Sequence, residues 1–143
     1  MVAYNKFNQF VEDLGQKVHN LATGGDTLKV LLTNTAPVAT NSVKADLTEI
    51  AAGNGYSAGG TTIGSTDYRQ TSGTAKLTGN DVVFTASGGT IGPFRYAVVY
   101  NDTPTAPADP LIAWADYGSS ITLQAVDTFT TDFDATNGIF TLA

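Results

Sequence analysis

Few side chains in this sequence carry chemistry, and their spacing limits what they could do. The single histidine, His19, stands beside an apolar stripe in a stretch of helical periodicity. No serine or carboxylate is fixed opposite it, so a solvent-edge helical position fits better than a general base. No Gly-x-Ser-x-Gly elbow is present to expose a nucleophilic serine. The absence of cysteine removes thiolate catalysis, zinc-finger chemistry and a disulfide framework. Asp132-Phe133-Asp134 before Asn137-Gly138 invites comparison with a calcium loop, but the glycine comes one residue late and no closing glutamate follows. The two carboxylates share one strand face and would hold a cation only weakly, so exposure beside a turn is expected. Gly53-Asn54-Gly55-Tyr56-Ser57-Ala58-Gly59-Gly60 has the wrong spacing for a dinucleotide fingerprint and lacks the strand-to-helix turn around it. Asn101-Asp102-Thr103 matches the glycosylation pattern without a secretory leader to give it meaning. Glycosidase chemistry needs two carboxylates facing each other across a cleft, and scattered acids do not identify such a pair. No catalytic, cofactor-binding or metal-ligating residue is therefore assigned, and no enzymatic activity or cofactor is expected.

Charge and composition narrow the partners. Thirteen carboxylates outnumber seven lysines and arginines for a formal charge of −6. The cations Lys6, Lys17, Lys29, Lys44, Arg69, Lys76 and Arg95 are spread one at a time, whereas phosphate binding needs a clustered positive patch, so direct nucleic-acid contact is not expected. Charged residues make up only 14% of the chain, which leaves Thr, Ser, Asn and Gly to cover much of the surface. Such a surface repels itself weakly and suits a subunit held against other protein copies. No apolar run approaches the roughly 18 residues of a membrane span, and no basic segment precedes an apolar one, so the chain is expected to be made and used in soluble form, without a membrane partner.

The elements that would position these groups are mostly strands. One domain, residues 1–143, is the expectation for this length. Phe7, Phe10, Val11, Leu14, Val18 and Leu21 recur at steps of three and four, predicting an amphipathic helix over 4–22 that Gly24-Gly25 terminates. That helix either lies on the sheet of its own chain or reaches a neighbouring subunit. A β domain follows over 27–143. Its predicted strands are Thr27–Asn34, Thr74–Thr78, Val82–Ala86, Phe94–Tyr100, Leu111–Tyr117, Ile121–Leu123, Thr128–Phe133 and Ile139–Leu142. Gly79-Asn80-Asp81 and Asn137-Gly138 read as hairpin turns between their flanking strands. Short strands with turn chemistry about every ten residues predict a mainly β fold, an antiparallel β-sandwich or barrel-like domain with one N-terminal helix. Between them, about 35–73, lies a long Gly- and Thr-rich loop with one periodic piece, Val43–Ala52. A connection of that length is usually functional or poorly ordered. Its exposed candidates for partner contact are Tyr56, Tyr68 and Arg69, since Tyr and Arg concentrate binding energy; the alternative is that they cover a sheet edge.

A family resemblance adds a function. Tyr4-Asn5-Lys6-Phe7-Asn8, Leu28-Lys29-Val30, the segment Ala45-Asp46-Leu47-Thr48-Glu49-Ile50 running into Gly55-Tyr56-Ser57-Ala58-Gly59-Gly60, and Arg95-Tyr96-Ala97-Val98-Val99-Tyr100-Asn101-Asp102-Thr103 before Pro110-Leu111-Ile112 resemble the small virion structural proteins of tailed bacteriophages and prophages. Asp116-Tyr117-Gly118 and Phe133-Asp134-Ala135-Thr136-Asn137-Gly138 extend the resemblance over nearly the whole chain. It implies a β-rich virion subunit without catalytic activity, in first place a decoration or cement protein on the outer capsid surface. Its partners would then be the major capsid protein and neighbouring copies of itself, a trimer suiting a capsid surface, and its place the virion exterior after synthesis in the host cytoplasm. A tail-associated or fibre-adaptor subunit that binds a host surface or glycan is the runner-up. The family brings no catalytic residues to carry over.

Overall fold

Alternation of apolar and polar residues gives way, in the middle of the chain, to strands that are apolar on both faces, and these become the centre of the largest sheet. The computed structural model describes residues 2–143. Its elements are β1 (Tyr4–Lys6), α1 (Asn8–Gly15), β2 (Leu28–Thr33), a 3-10 turn at Lys44–Asp46, β3 (Thr61–Thr62), β4 (Asp67–Thr71), β5 (Thr74–Thr78), β6 (Val82–Thr85), β7 (Ile91–Asn101), β8 (Leu111–Leu123), β9 (Thr128–Thr131) and β10 (Phe140–Leu142). The protein is mainly β with antiparallel sheets and one short helix, consistent with a β-sandwich-like domain. The largest sheet runs β1-β8-β7-β2-β3; a second runs β10-β5-β4, and β6 pairs with β9. All pairings are antiparallel. Val98 and Val99 of β7 and Leu111, Ile112 and Ala113 of β8 are buried on both sides, as central strands covered above and below must be.

Aromatic rings join the sheets. Phe10 of α1 meets Phe140 of β10 edge-on at 5.1 Å, and Phe7, just before the helix, lies 4.5 Å from Trp114 of β8. At the far end of β7 and β8, Phe129 of β9 takes Phe94 at 4.9 Å and Tyr117 at 4.8 Å, both edge-on. Each such pair adds about 0.5–1.5 kcal/mol beyond the area it buries.

Three local expectations are corrected. The helix does not fill 4–22: Tyr4–Lys6 is strand β1, paired with Ala113–Ala115 of β8, and α1 stops at Gly15. Lys17, not the glycine pair, supplies the left-handed residue at φ 65°. Val18 N–H then reaches back to Asp13 C=O at 2.9 Å, closing the helix in a Schellman-type cap, after which His19 and Leu21 turn into the core while Asn20 stays exposed. The second correction concerns Gly79-Asn80-Asp81, which does not join paired strands, since β5 lies between β4 and β10 while β6 pairs with β9. A Cβ at Gly79 would stand 2.5 Å from the Ile63 side chain, so this glycine permits close packing at a crossing between sheets. Asn137-Gly138 likewise joins strands of different sheets, with Asp134 Oδ1 accepting from Thr136 N–H at 2.7 Å and Asn137 N–H at 3.2 Å to fold a local turn. The observed tight hairpin is β4–β5, whose Ser72-Gly73 loop has both residues at positive φ, as a type I′ turn requires.

Candidate functional site

The three contact candidates separate. Tyr56 is not exposed. Its hydroxyl accepts from Leu32 N–H at 3.1 Å and donates to Glu49 Oε1 at 2.6 Å, and the residue is buried. The cause lies in β2: β3 pairs only with Lys29 and Val30, leaving the edge at Leu32 without a strand. Tyr56 satisfies its N–H, and Ile50 N–H donates to its carbonyl at 3.1 Å. Glu49 Oε1 also accepts from Gly59 N–H at 2.6 Å, and Tyr100 donates to Gly59 C=O at 2.6 Å. The long loop is thus stitched down as the missing sheet edge, the covering role weighed for it. Burial, with the Glu49 hydrogen bond, pushes the Tyr56 hydroxyl far above its ordinary range.

Tyr68 and Arg69, neighbours on β4, point to opposite faces. Tyr68 is half-buried, 6.5 Å from Phe140, and burial raises its hydroxyl pKa. Arg69 is exposed on the outer face, donating to Asp67 Oδ2 at 2.9 Å. Register places it opposite Lys76 of β5, which is opposite Thr141 of β10. Thr71, Thr74, Thr78, Thr136 and Asn137 complete a polar groove of about 460 Å³ around this row. Directly opposed cations on adjacent strands repel. Here Asp67 neutralises Arg69, and Lys76 donates to Thr136 C=O at 3.0 Å. Hydrogen bonds from Thr23 and then Arg69 hold the Asp67 carboxyl below its usual range. Next to it, a groove of about 360 Å³ lies between β1 and β10, where Lys6 donates to Thr141 C=O at 3.3 Å. Sequence reasoning missed Lys76 and the threonines; the strict alternation Thr74, Lys76, Thr78 on a recognised strand was the signal that would have placed them on one outward face.

His19 is also corrected: it follows the helix and is buried. Its ring lies 5.1 Å from Phe10, with Nδ1 3.1 Å from Asn101 Nδ2. The same Asn101 amide donates to Asp26 Oδ2 at 2.7 Å. Loss of hydration lowers the imidazole pKa, against the opposing pull of Asp13 and Asp26. Asp134 spends its carboxylate on the turn described above, and those backbone N–H groups depress its pKa. Among the described residues no three His, Asp or Glu side chains gather where they would share a metal ion, and no helix is long and apolar enough to cross a membrane.

Comparison with known proteins gives no identity: no protein-family model, curated protein or solved structure matches the chain.

Proposed function

We propose that the chain is a non-enzymatic virion structural subunit, a decoration or cement protein that binds the outer surface of a phage capsid lattice and clusters there with copies of itself. The resemblance of its sequence segments to those of small phage virion proteins supports this reading. The structural observation that carries it is the disposition of polar groups: Tyr56, Glu49, Asp134 and Asn101 hold backbone and loops in place, while the row Arg69–Lys76–Thr141 is presented outward on a sheet face. Many copies would multiply modest contacts of that kind into tight attachment. A second reading, a tail-associated subunit that holds a glycan, is favoured by the hydroxyl-rich lining of the same groove.

The test uses particles assembled with and without the protein. Those carrying it should retain DNA on heating or chelation under conditions where those lacking it leak, and Arg69→Glu should lower its occupancy on the shell about tenfold, the scale of one contact residue. Particles that withstand the stress equally well without it would refute the cement role. Low copy number together with host-cell binding of the isolated chain would favour the tail reading.

A further inference from the structure

Asn101, at the end of β7, is buried with every hydrogen of its side-chain amide engaged. Its Oδ1 accepts from Thr103 N–H at 3.1 Å. Its Nδ2 lies 2.7 Å from Asp26 Oδ2 and 3.1 Å from His19 Nδ1. An amide nitrogen has two hydrogens to give, so one goes to the carboxylate and the other to the ring. Turning the amide over offers no alternative, because it would set Nδ2 against the Thr103 N–H and Oδ1 against the Asp26 carboxylate. The arrangement therefore makes Nδ1 of His19 an acceptor and places the proton of the neutral ring on Nε2.

A second proton, arriving at Nδ1, would set two donors face to face. Asn101 must then withdraw, and Asp26 loses the amide that ties it to β7. Asp26 Oδ2 also accepts from Asn20 N–H at 2.8 Å, and Asp26 N–H donates to Asn20 C=O at 2.8 Å, so the loop from His19 to Asp26 responds as a unit. The charged groups that face the ring are Asp13 from α1 and Asp26 from the loop before β2. From β7 comes the neutral Asn101, and Asp102 beyond it is paired with Lys29 at 3.1 Å. Neither Asp13 Oδ2 nor His19 Nε2 has a hydrogen-bond partner among the described residues, although both are buried. Polar atoms left in that state oppose burial, so the Asn101 bridge and apolar packing hold the loop closed, and no ion pair at the ring does. On its outer side the loop is separated from the chain after Thr103 by a cleft of about 430 Å³, and Thr23, which ties the loop to Asp67 of β4, is exposed.

We infer that His19, Asn101 and Asp26 form an acid-released lock on the loop between α1 and β2: a proton on His19 Nδ1 breaks the Asn101 bridge, and the loop from Val18 to Asp26 opens away from β7 while β2, β7 and β8 stay paired. Thr27, whose N–H donates to Thr103 Oγ1 at 2.8 Å, is the point at which the chain is fastened again.

The experiment follows the isotope-labelled full-length chain from pH 7.5 to pH 5. Imidazole nitrogen shifts report the tautomer and protonation of His19, and amide hydrogen exchange, expressed as protection factors so that the intrinsic effect of pH drops out, reports opening. A proton on Nε2 is expected at pH 7.5. As the ring titrates, protection should fall about tenfold or more at Asn20, Asp26 and Thr103 and by less than about twofold at Val98 and Ala113 of the β7–β8 pair. His19→Gln keeps an oxygen acceptor for Asn101 and cannot take up the proton, so its loop should stay closed throughout; opening caused by a carboxylate would survive in it. If that variant does not fold, the unsubstituted chain decides the matter alone. An Nδ1–H tautomer at pH 7.5, a ring still neutral at pH 5, protection unchanged as the ring titrates, an equal loss at Val98, or equal opening in folded His19→Gln would overturn the inference. None of these outcomes bears on the virion reading, since the sample is the free chain.

Discussion

At the scale of single residues, the buried polar groups make the fold sensitive to pH in a defined window. His19 has a folded pKa below its ordinary value, with loss of hydration as the main cause, and Asp13 and Asp26 face it as partial compensation. Between that lowered value and about 6.5, the unfolded chain holds a proton that the folded chain does not, so stability rises with pH there. It is fully present above about pH 6.5 and declines as the solution is acidified, with a slope of at most about 1.4 kcal/mol per pH unit for one proton. The carboxyls held below their usual range, Asp46 by the Ser42 and Val43 N–H groups and Asp134 by those of Thr136 and Asn137, act in the opposite part of the scale: their contribution is lost only as pH falls through the carboxylate range. Urea unfolding from pH 7.5 to 5 should therefore show a decline that His19→Gln removes. A wild-type stability flat across that interval would contradict the buried neutral imidazole. None of this was legible at position 19, because the partners that bury the ring, Phe10 and Asn101, are brought together by tertiary packing. Tyr56 hides its role for the same reason: aromatic enrichment suggested contact, whereas the N–H it satisfies lies 24 residues away.

Elements were legible where a residue's own neighbours decide them, and not where another element does. Alternation located most strands from Leu28 onward, because period-two burial is written locally. Pairing was not. Gly-Asn-Asp and Asn-Gly both supply turn geometry, but turns between sheets use the same residues as turns within them, and only the partner edge distinguishes the two. The true hairpin at Ser72-Gly73 lay at the end of what read as loop. The cover on the β2 edge carries the prediction proper to this scale. Gly60, at φ 76°, passes so close to β2 that a Cβ would overlap the Val30 carbonyl oxygen. Gly60→Ala combines backbone strain with displacement of the cover, and should cost more than about 2 kcal/mol. Gly24→Ala has a similar φ and open space around it, and should cost about 1 kcal/mol. Hydrogen exchange should show the Leu32 amide losing protection in the first variant only. Equal stability losses would mean that the close approach at Gly60 has no energetic weight.

For the molecule as a whole, the decisive comparison is between surface and mass. The accessible surface is 6952 Å² for a chain of 14.9 kDa, and a globular monomer of that mass exposes about 7,000 Å². The large apolar side chains left exposed among the described residues are four valines, Val11, Val38, Val83 and Val126. Obligate oligomers leave a large apolar face when a protomer is isolated, and a chain that closes its own core does not. Folding should then be complete without a partner, and the self-association proposed for the capsid surface should depend on the lattice that holds the copies together. The melting temperature of the purified chain should stay constant over about a hundredfold range of protein concentration, since binding raises stability only by mass action. A trimer that folds and dissociates as a unit would instead melt higher as concentration rises. That result would move the site of assembly from the shell to free solution, and would require the polar grooves beside β10 to hold copies together without any scaffold beneath them.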